Sequence, residues 1–155
     1  MTKSRQKNYS YSLDSSDLGH FFEELSAHDS FYFKKFFRGL SIYFSGKAVA
    51  YISDRPGDKF FRGKSYDIEI WNGCLIPTDR EHHSELLRLI KGTVVHPVIK
   101  KWLYLPKTSD YFEDSMVQLV NMIKSENSLV GIEPDLKPKK ARSTKSKLPS
   151  KKSNL

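Results

Sequence analysis

The chain has 155 residues, 38% of them hydrophobic, and its ten Phe, eight Tyr and two Trp are enough to build one packed domain and exclude wholesale disorder. The net charge of +8 sits at the two ends: residues 134–155 hold eight basic groups against Asp135, residues 1–13 hold Lys3, Arg5 and Lys7 with no acid, and residues 14–133 carry a net −2. The lone Cys74 excludes a disulfide framework and any multi-cysteine zinc site. No run approaches the roughly 18 apolar residues of a bilayer span, and the polar start has no apolar signal core. The expectation is a soluble cytoplasmic protein with no membrane partner.

The first periodic segment follows Ser15 and Ser16. Leu18, Phe21, Phe22 and Leu25 fall at i, i+3, i+4 and i+7, one stripe of a helix, with Asp17 in its first turn. From Phe31 the texture becomes aromatic and β-branched. Phe31 to Phe37 reads as a strand bounded by Gly39, Leu40 to Phe44 as a second, and Ala48 to Ile52 as a third after the turn Ser45-Gly46-Lys47. Asp54 to Lys64, with Pro56, Gly57 and Gly63, reads as a loop. Tyr66 to Trp71 alternates Ile68 and Ile70 with Asp67 and Glu69, a strand with two carboxylates in water.

Thr78-Asp79-Arg80-Glu81 reads as a capping box opening a helix with Leu86, Leu87 and Ile90 on its buried stripe and Gly92 as its stop. Thr93 to Val95 and Lys101 to Leu105 are two further strands. Phe112, Met116, Leu119, Val120 and Ile123, at offsets 0, 4, 7, 8 and 11, make the strongest helix pattern in the chain. The order α-β-β-β-β-α-β-β-α is that of an α+β domain over 15–133. Its two layers are a mostly antiparallel sheet of about five strands and three helices. A flexible arm at 1–14 and a disordered Lys-rich tail at 134–155 flank it.

The run from Phe33 to Ile52 joins a basic-aromatic strand (Phe33-Lys34-Lys35-Phe36-Phe37-Arg38-Gly39) to a short Gly-flanked strand and then an apolar one. With Trp102-Leu103-Tyr104-Leu105-Pro106 and Val130-Gly131-Ile132-Glu133-Pro134, it resembles the N-terminal domain of TfoX-type proteins over roughly residues 15 to 134. The resemblance implies a two-layer α/β domain of bacterial proteins, without known catalytic machinery, whose namesakes regulate natural competence. Those regulators carry a second, helical domain where this chain has a basic tail.

The tail cations Lys137, Lys139, Lys140, Arg142, Lys145, Lys147, Lys151 and Lys152 are the strongest physical signal. They read equally as a weak, non-specific contact to DNA or RNA phosphates and as a solubilising end, and nothing among them supplies sequence readout. Lys34, Lys35 and Arg38, interleaved with aromatics, are further nucleic-acid candidates, although strand alternation favours packing of those aromatics under a helix.

No cofactor, metal or catalytic set emerges. His82 and His83 diverge on a helix, Asp79 and His83 are too few for a metal, and the glycines form no phosphate loop. The leading function is a non-enzymatic regulatory domain of TfoX-like type that engages an unknown protein partner while its tail adds nucleic-acid affinity. The alternatives are a small ligand-binding or enzymatic domain with a site near Cys74, His96 and Trp102, and a subunit that dimerises by its sheet edge.

Overall fold

The computed structural model describes Leu13 and residues 16–134. The eight tail cations and the arm other than Leu13 lie outside the described residues. The chain forms strands β1 (Tyr32–Phe36), β2 (Gly39–Phe44), β3 (Lys47–Asp54), β4 (Phe60–Phe61), β5 (Lys64–Ser65), β6 (Asn72–Ile76), β7 (Val94–Val95) and β8 (Leu103–Pro106). Among the described residues the α-helices are α1 (His83–Leu89) and α2 (Phe112–Lys124). The fold is α+β, with a wholly antiparallel six-stranded sheet in the order β1-β2-β3-β6-β8-β7.

The sheet's two faces are covered differently. Leu40, Ile42 and Phe44 alternate along β2 with the half-buried Gly39, Ser41 and Tyr43. They join Phe33, Ile52, Cys74, Ile76, Leu103 and Leu105 on the face that packs against α2. All five residues of the predicted α2 stripe are buried there. On the second face, Tyr51, Leu75 and Tyr104 lie beneath Ile70 and Trp71, with Phe61, Tyr66, Ile68, Val98, Ile99 and Trp102 around them. That cover stops at β3. Tyr32, Lys34 and Phe36 of β1, and Ser41 and Tyr43 of β2, belong to the second face and none of them is buried.

Four expectations need correction. The predicted first helix is two 3-10 turns, Gly19–Phe22 and Leu25–Ala27; Leu18, Phe22 and Leu25 are buried as its stripe requires, but the hydrogen bonds run i to i+3. The Ser16 hydroxyl accepts from Leu18 N–H at 3.1 Å, and Gly19 is pressed so closely on the Leu13 carbonyl that a Cβ would lie 2.1 Å from its oxygen. Short 3-10 pieces suit such a tethered stretch.

Tyr66 to Trp71 is not a strand. Its alternation comes from a covering loop in which Ile70 is buried and the Glu69 carboxylate accepts from Gly57 N–H and the Asn72 amide, both at 2.8 Å. The strand lies one step later, at β6. The capping box is not made either. Thr78 donates its hydroxyl to the Leu129 carbonyl at 2.7 Å, and the helix begins after a 3-10 turn at Arg80–His82. Finally, the predicted loop from Asp54 to Lys64 holds the β4–β5 hairpin, whose turn residues Arg62 and Gly63 both have positive φ, +53° and +79°. Among the described residues, a main sheet of six strands and two α-helices therefore replace the expected five and three, with β4–β5 as a separate two-stranded sheet.

Candidate functional site

Of the three candidate cations within the domain, Lys34 and Lys35 are exposed on opposite faces of β1, and Arg38 sits with Phe37 in the two-residue loop joining β1 to β2. The aromatics beside them divide sharply. Phe33 is in the core as expected, but Phe36 and Phe37 are 59% and 52% exposed, so the packing expectation fails for two of the three. Alternation explains Phe36, which points to the second face beyond the edge of its cover.

Phe37 is held by its neighbours. Its φ is +52°, a region that a bulky side chain enters only when the surroundings impose it. Both peptide groups of Arg38 are fixed: its N–H donates to the Tyr51 hydroxyl at 2.9 Å, and its carbonyl accepts from the Ser53 hydroxyl at 3.0 Å. Tyr51 in turn donates to the Phe36 carbonyl at 3.0 Å. Burial pushes the Tyr51 phenol up to about 12, so it remains a donor through the neutral range. Gly39 closes the loop where a Cβ would meet the Ile52 carbonyl oxygen at 1.9 Å.

The tip of this hairpin meets the tip of β4–β5. Phe37 makes edge contacts with Phe61 (5.7 Å) and Trp71 (5.3 Å), and Phe36 makes one with Tyr51 (5.8 Å). Tyr32 and Tyr43 stack in parallel at 4.5 Å. Cations lie over these rings: Lys34 over Tyr43 at 5.3 Å, Arg38 over Phe37 at 4.9 Å, Arg62 over Phe61 at 5.1 Å and Lys64 over Tyr66 at 5.3 Å. Phe60, 58% exposed, adds a third open phenyl.

The charge that surrounds these rings is concealed by the domain's total. Residues 32–66 hold eight basic groups and two acids, a net +6, while residues 14–31 carry −5 and residues 67–133 carry −3. Both acids of the basic segment are engaged. Asp58 takes Arg38 at 2.9 Å and Arg55 at 3.3 Å, and Asp54 accepts the Asp17 N–H at 2.8 Å. Lys34, Lys59, Arg62 and Lys64 are exposed in the same segment of the chain as the open aromatics. Summing charge over the whole middle of the chain hides this grouping, and counting it strand by strand would have exposed it.

The groups of the enzymatic alternative are not gathered. Cys74 faces the helical layer, whereas His96 and Trp102 lie on the opposite side of the sheet. Burial pushes the Cys74 thiol up to about 12, the reverse of what a nucleophile needs. His96 is fully buried: its Nδ1 accepts from Val98 and Ile99 N–H at 3.1 and 3.0 Å, so Nε2 carries the proton and donates to the Ile70 carbonyl at 2.7 Å. Burial draws its pKa down to about 4, and the ring is a neutral staple for the covering loop. His83 contacts the Lys101 carbonyl at 2.9 Å. Among the described residues, no three His, Cys, Asp or Glu side chains form a metal-holding group, and no helix is long and apolar enough to cross a membrane. No family model, curated protein or solved structure matches the chain.

Proposed function

We propose that this chain is a non-catalytic regulatory domain that contacts nucleic acid through phosphate charge, using its basic tail and the β1–β5 segment together. The observation that carries the reading is the segregation of charge inside the domain, +6 over residues 32–66 beside −8 over the rest of 14–133. A polyanion meets the cationic β1–β5 segment, and the acidic remainder orients it there.

The position of the tail's root supports joint action. Ile132 and Ala48 exchange backbone hydrogen bonds at 2.8 and 3.0 Å, and Ala48 is paired across β2 with Tyr43. With strands spaced about 4.8 Å apart, Ile132 lies about 10 Å from Tyr43. The eight tail cations follow from residue 137. A phosphate chain held on the domain therefore raises the effective concentration of the tail for the same strand. The TfoX-like resemblance, a bacterial cytoplasmic setting and an unidentified protein partner remain part of this proposal, supported by the element order from β1 to β3 and the Leu-Pro strand end before α2.

Binding of labelled DNA and RNA across a salt series tests it. The full chain should bind at low salt and lose affinity with a steep log–log slope, which falls by about 0.9 for each duplex phosphate contact removed. Deleting residues 135–155 should flatten the slope and leave weak binding, which K34A, R62A and K64A together should abolish. A full chain that binds neither nucleic acid at low salt sinks the proposal.

A further inference from the structure

We infer that the uncovered half of the sheet's second face, together with the β1–β2 loop and the β4–β5 hairpin that meets it, is a stacking platform for single-stranded nucleic acid, with Phe36 and Phe37 taking base rings and Lys34, Lys59, Arg62 and Lys64 taking the adjoining phosphates. This inference rests on the polyanion reading above and names the form of nucleic acid that the site accepts.

The aromatic side chains are the first argument. A domain of this size has ample apolar surface to bury, yet it leaves three phenyls more than half exposed, Phe36 and Phe37 at the β1–β2 turn and Phe60 on the β4–β5 hairpin, each next to a cation in the chain. Every base offers a π face, and an exposed ring next to a lysine or arginine satisfies base and phosphate at once. Lys34 and Phe36 project from the same face of β1, two residues apart and so about 7 Å from each other along the strand, within reach of one nucleotide.

The second argument is preorganisation. Phe37 is held by edge contacts with Trp71 and Phe61, and the backbone of its loop is locked by the Tyr51 and Ser53 hydroxyls. Phe36 rests against the Tyr51 ring. Rings already immobilised lose little conformational freedom on binding.

The third argument separates single strands from duplex. Reading a duplex requires a helix or ribbon placed in a groove. Helix α1 has seven residues, and the exposed side of α2 presents Glu113, Asp114, Val117, Gln118 and Asn121, with its one cation, Lys124, paired to Glu24. The cations lie instead on β1 and along the β4–β5 hairpin beside exposed rings, which unpaired bases can stack on and paired ones cannot.

The test uses the full chain with a fluorescent 12-nucleotide oligo-U, the matching oligo-dT and a 12-base-pair duplex, each followed by anisotropy at low and moderate salt. The wild type should prefer both single strands to the duplex. F36A/F37A should weaken single-strand binding by about tenfold or more while leaving duplex binding within about twofold. F36Y/F37W, which restores rings, should recover it. A tighter oligo-U than oligo-dT identifies RNA as the natural form, and equal affinities a sugar-blind site; either supports the platform.

Equal losses for single strand and duplex overturn the platform, as does no loss at all, while the salt-dependent polyanion reading survives both. A wild type that binds none of the three probes overturns both readings. Should F36A/F37A change only the oligomeric state on sizing, the phenyls belong to contacts between copies of the chain and the inference is wrong. Unchanged thermal unfolding of the variant keeps a folding defect from being mistaken for any of these results.

Discussion

The Tyr51 hydroxyl holds both peptide groups that flank Phe37, donating to the Phe36 carbonyl at 3.0 Å and accepting the Arg38 N–H at 2.9 Å. Removing that oxygen in Tyr51→Phe leaves a half-buried donor and acceptor without a partner, which costs about 1–3 kcal/mol. Urea denaturation should show that loss, and single-strand affinity should fall with it because Phe37 is no longer fixed. A variant as stable as wild type would show that water replaces the hydroxyl without penalty.

Alkaline stability follows from the same ring. Burial raises Tyr51 to about 12, above its ordinary value near 10, and Tyr104 is raised in the same way. Groups whose folded pKa is raised contribute stability below the unfolded value and lose it as pH climbs toward the folded one. The denaturation midpoint should be flat from pH 8 to 9.5 and fall between pH 10 and 12, with a shallower fall in Tyr51→Phe.

On the acid side the corresponding group is His96, fully buried and held neutral with its pKa drawn down to about 4. A depressed folded pKa contributes stability above the unfolded value near 6.5 and loses it as pH falls toward 4. That loss amounts to roughly 3 kcal/mol at most. Unfolding free energies at pH 7 and pH 5 should differ more in wild type than in His96→Gln, and equal differences would show that the carboxylates alone set the acid limb.

Asp58 neutralises Arg38, which lies over the Phe37 ring, at 2.9 Å and Arg55 at 3.3 Å. Asp58→Asn should lower stability by about 1 kcal/mol or less, since both arginines are partly solvated. It should also tighten nucleic-acid binding and steepen its salt slope by about one contact. Weaker binding in this variant would mean that Asp58 serves mainly to aim Arg38.

Gly39→Ala is expected to be severe. Its Cβ would stand 1.9 Å from the Ile52 carbonyl oxygen, inside the β2–β3 pairing, where neither strand can retreat without breaking the sheet. A loss of about 3 kcal/mol or more should appear in thermal unfolding.

Elements whose pattern arises from their own packing are legible in the chain. Helix α2 shows its stripe because one face meets the sheet throughout, and β2 alternates because one side of it is core. The stretch from Tyr66 to Trp71 misleads because a loop lying across a sheet also alternates, one side down on Tyr51 and Tyr104 and the other up. Leu18 to Leu25 misleads because burying the same three side chains needs only a coil near helical pitch, which two 3-10 turns supply. Within the site, Lys34, Lys35 and Arg38 were visible as cations beside aromatics. The exposure of Phe36 and Phe37 was not, since it depends on where a cover formed by residues 55–71 and 96–102 happens to end. Nor could the meeting of Phe37 with Phe61 be read from residues so far apart in the chain.

The backbone pairing of Ala48 with Ile132 ties together segments 84 residues apart. A nascent chain emerging from its N-terminus must therefore wait for nearly the whole domain to be synthesised before the start of β3 can complete its hydrogen bonds. Such non-local closure slows folding, and until it occurs an incomplete strand margin stands ready to pair with another molecule. Assembly of this domain is thus vulnerable during translation in proportion to how late its final rung arrives.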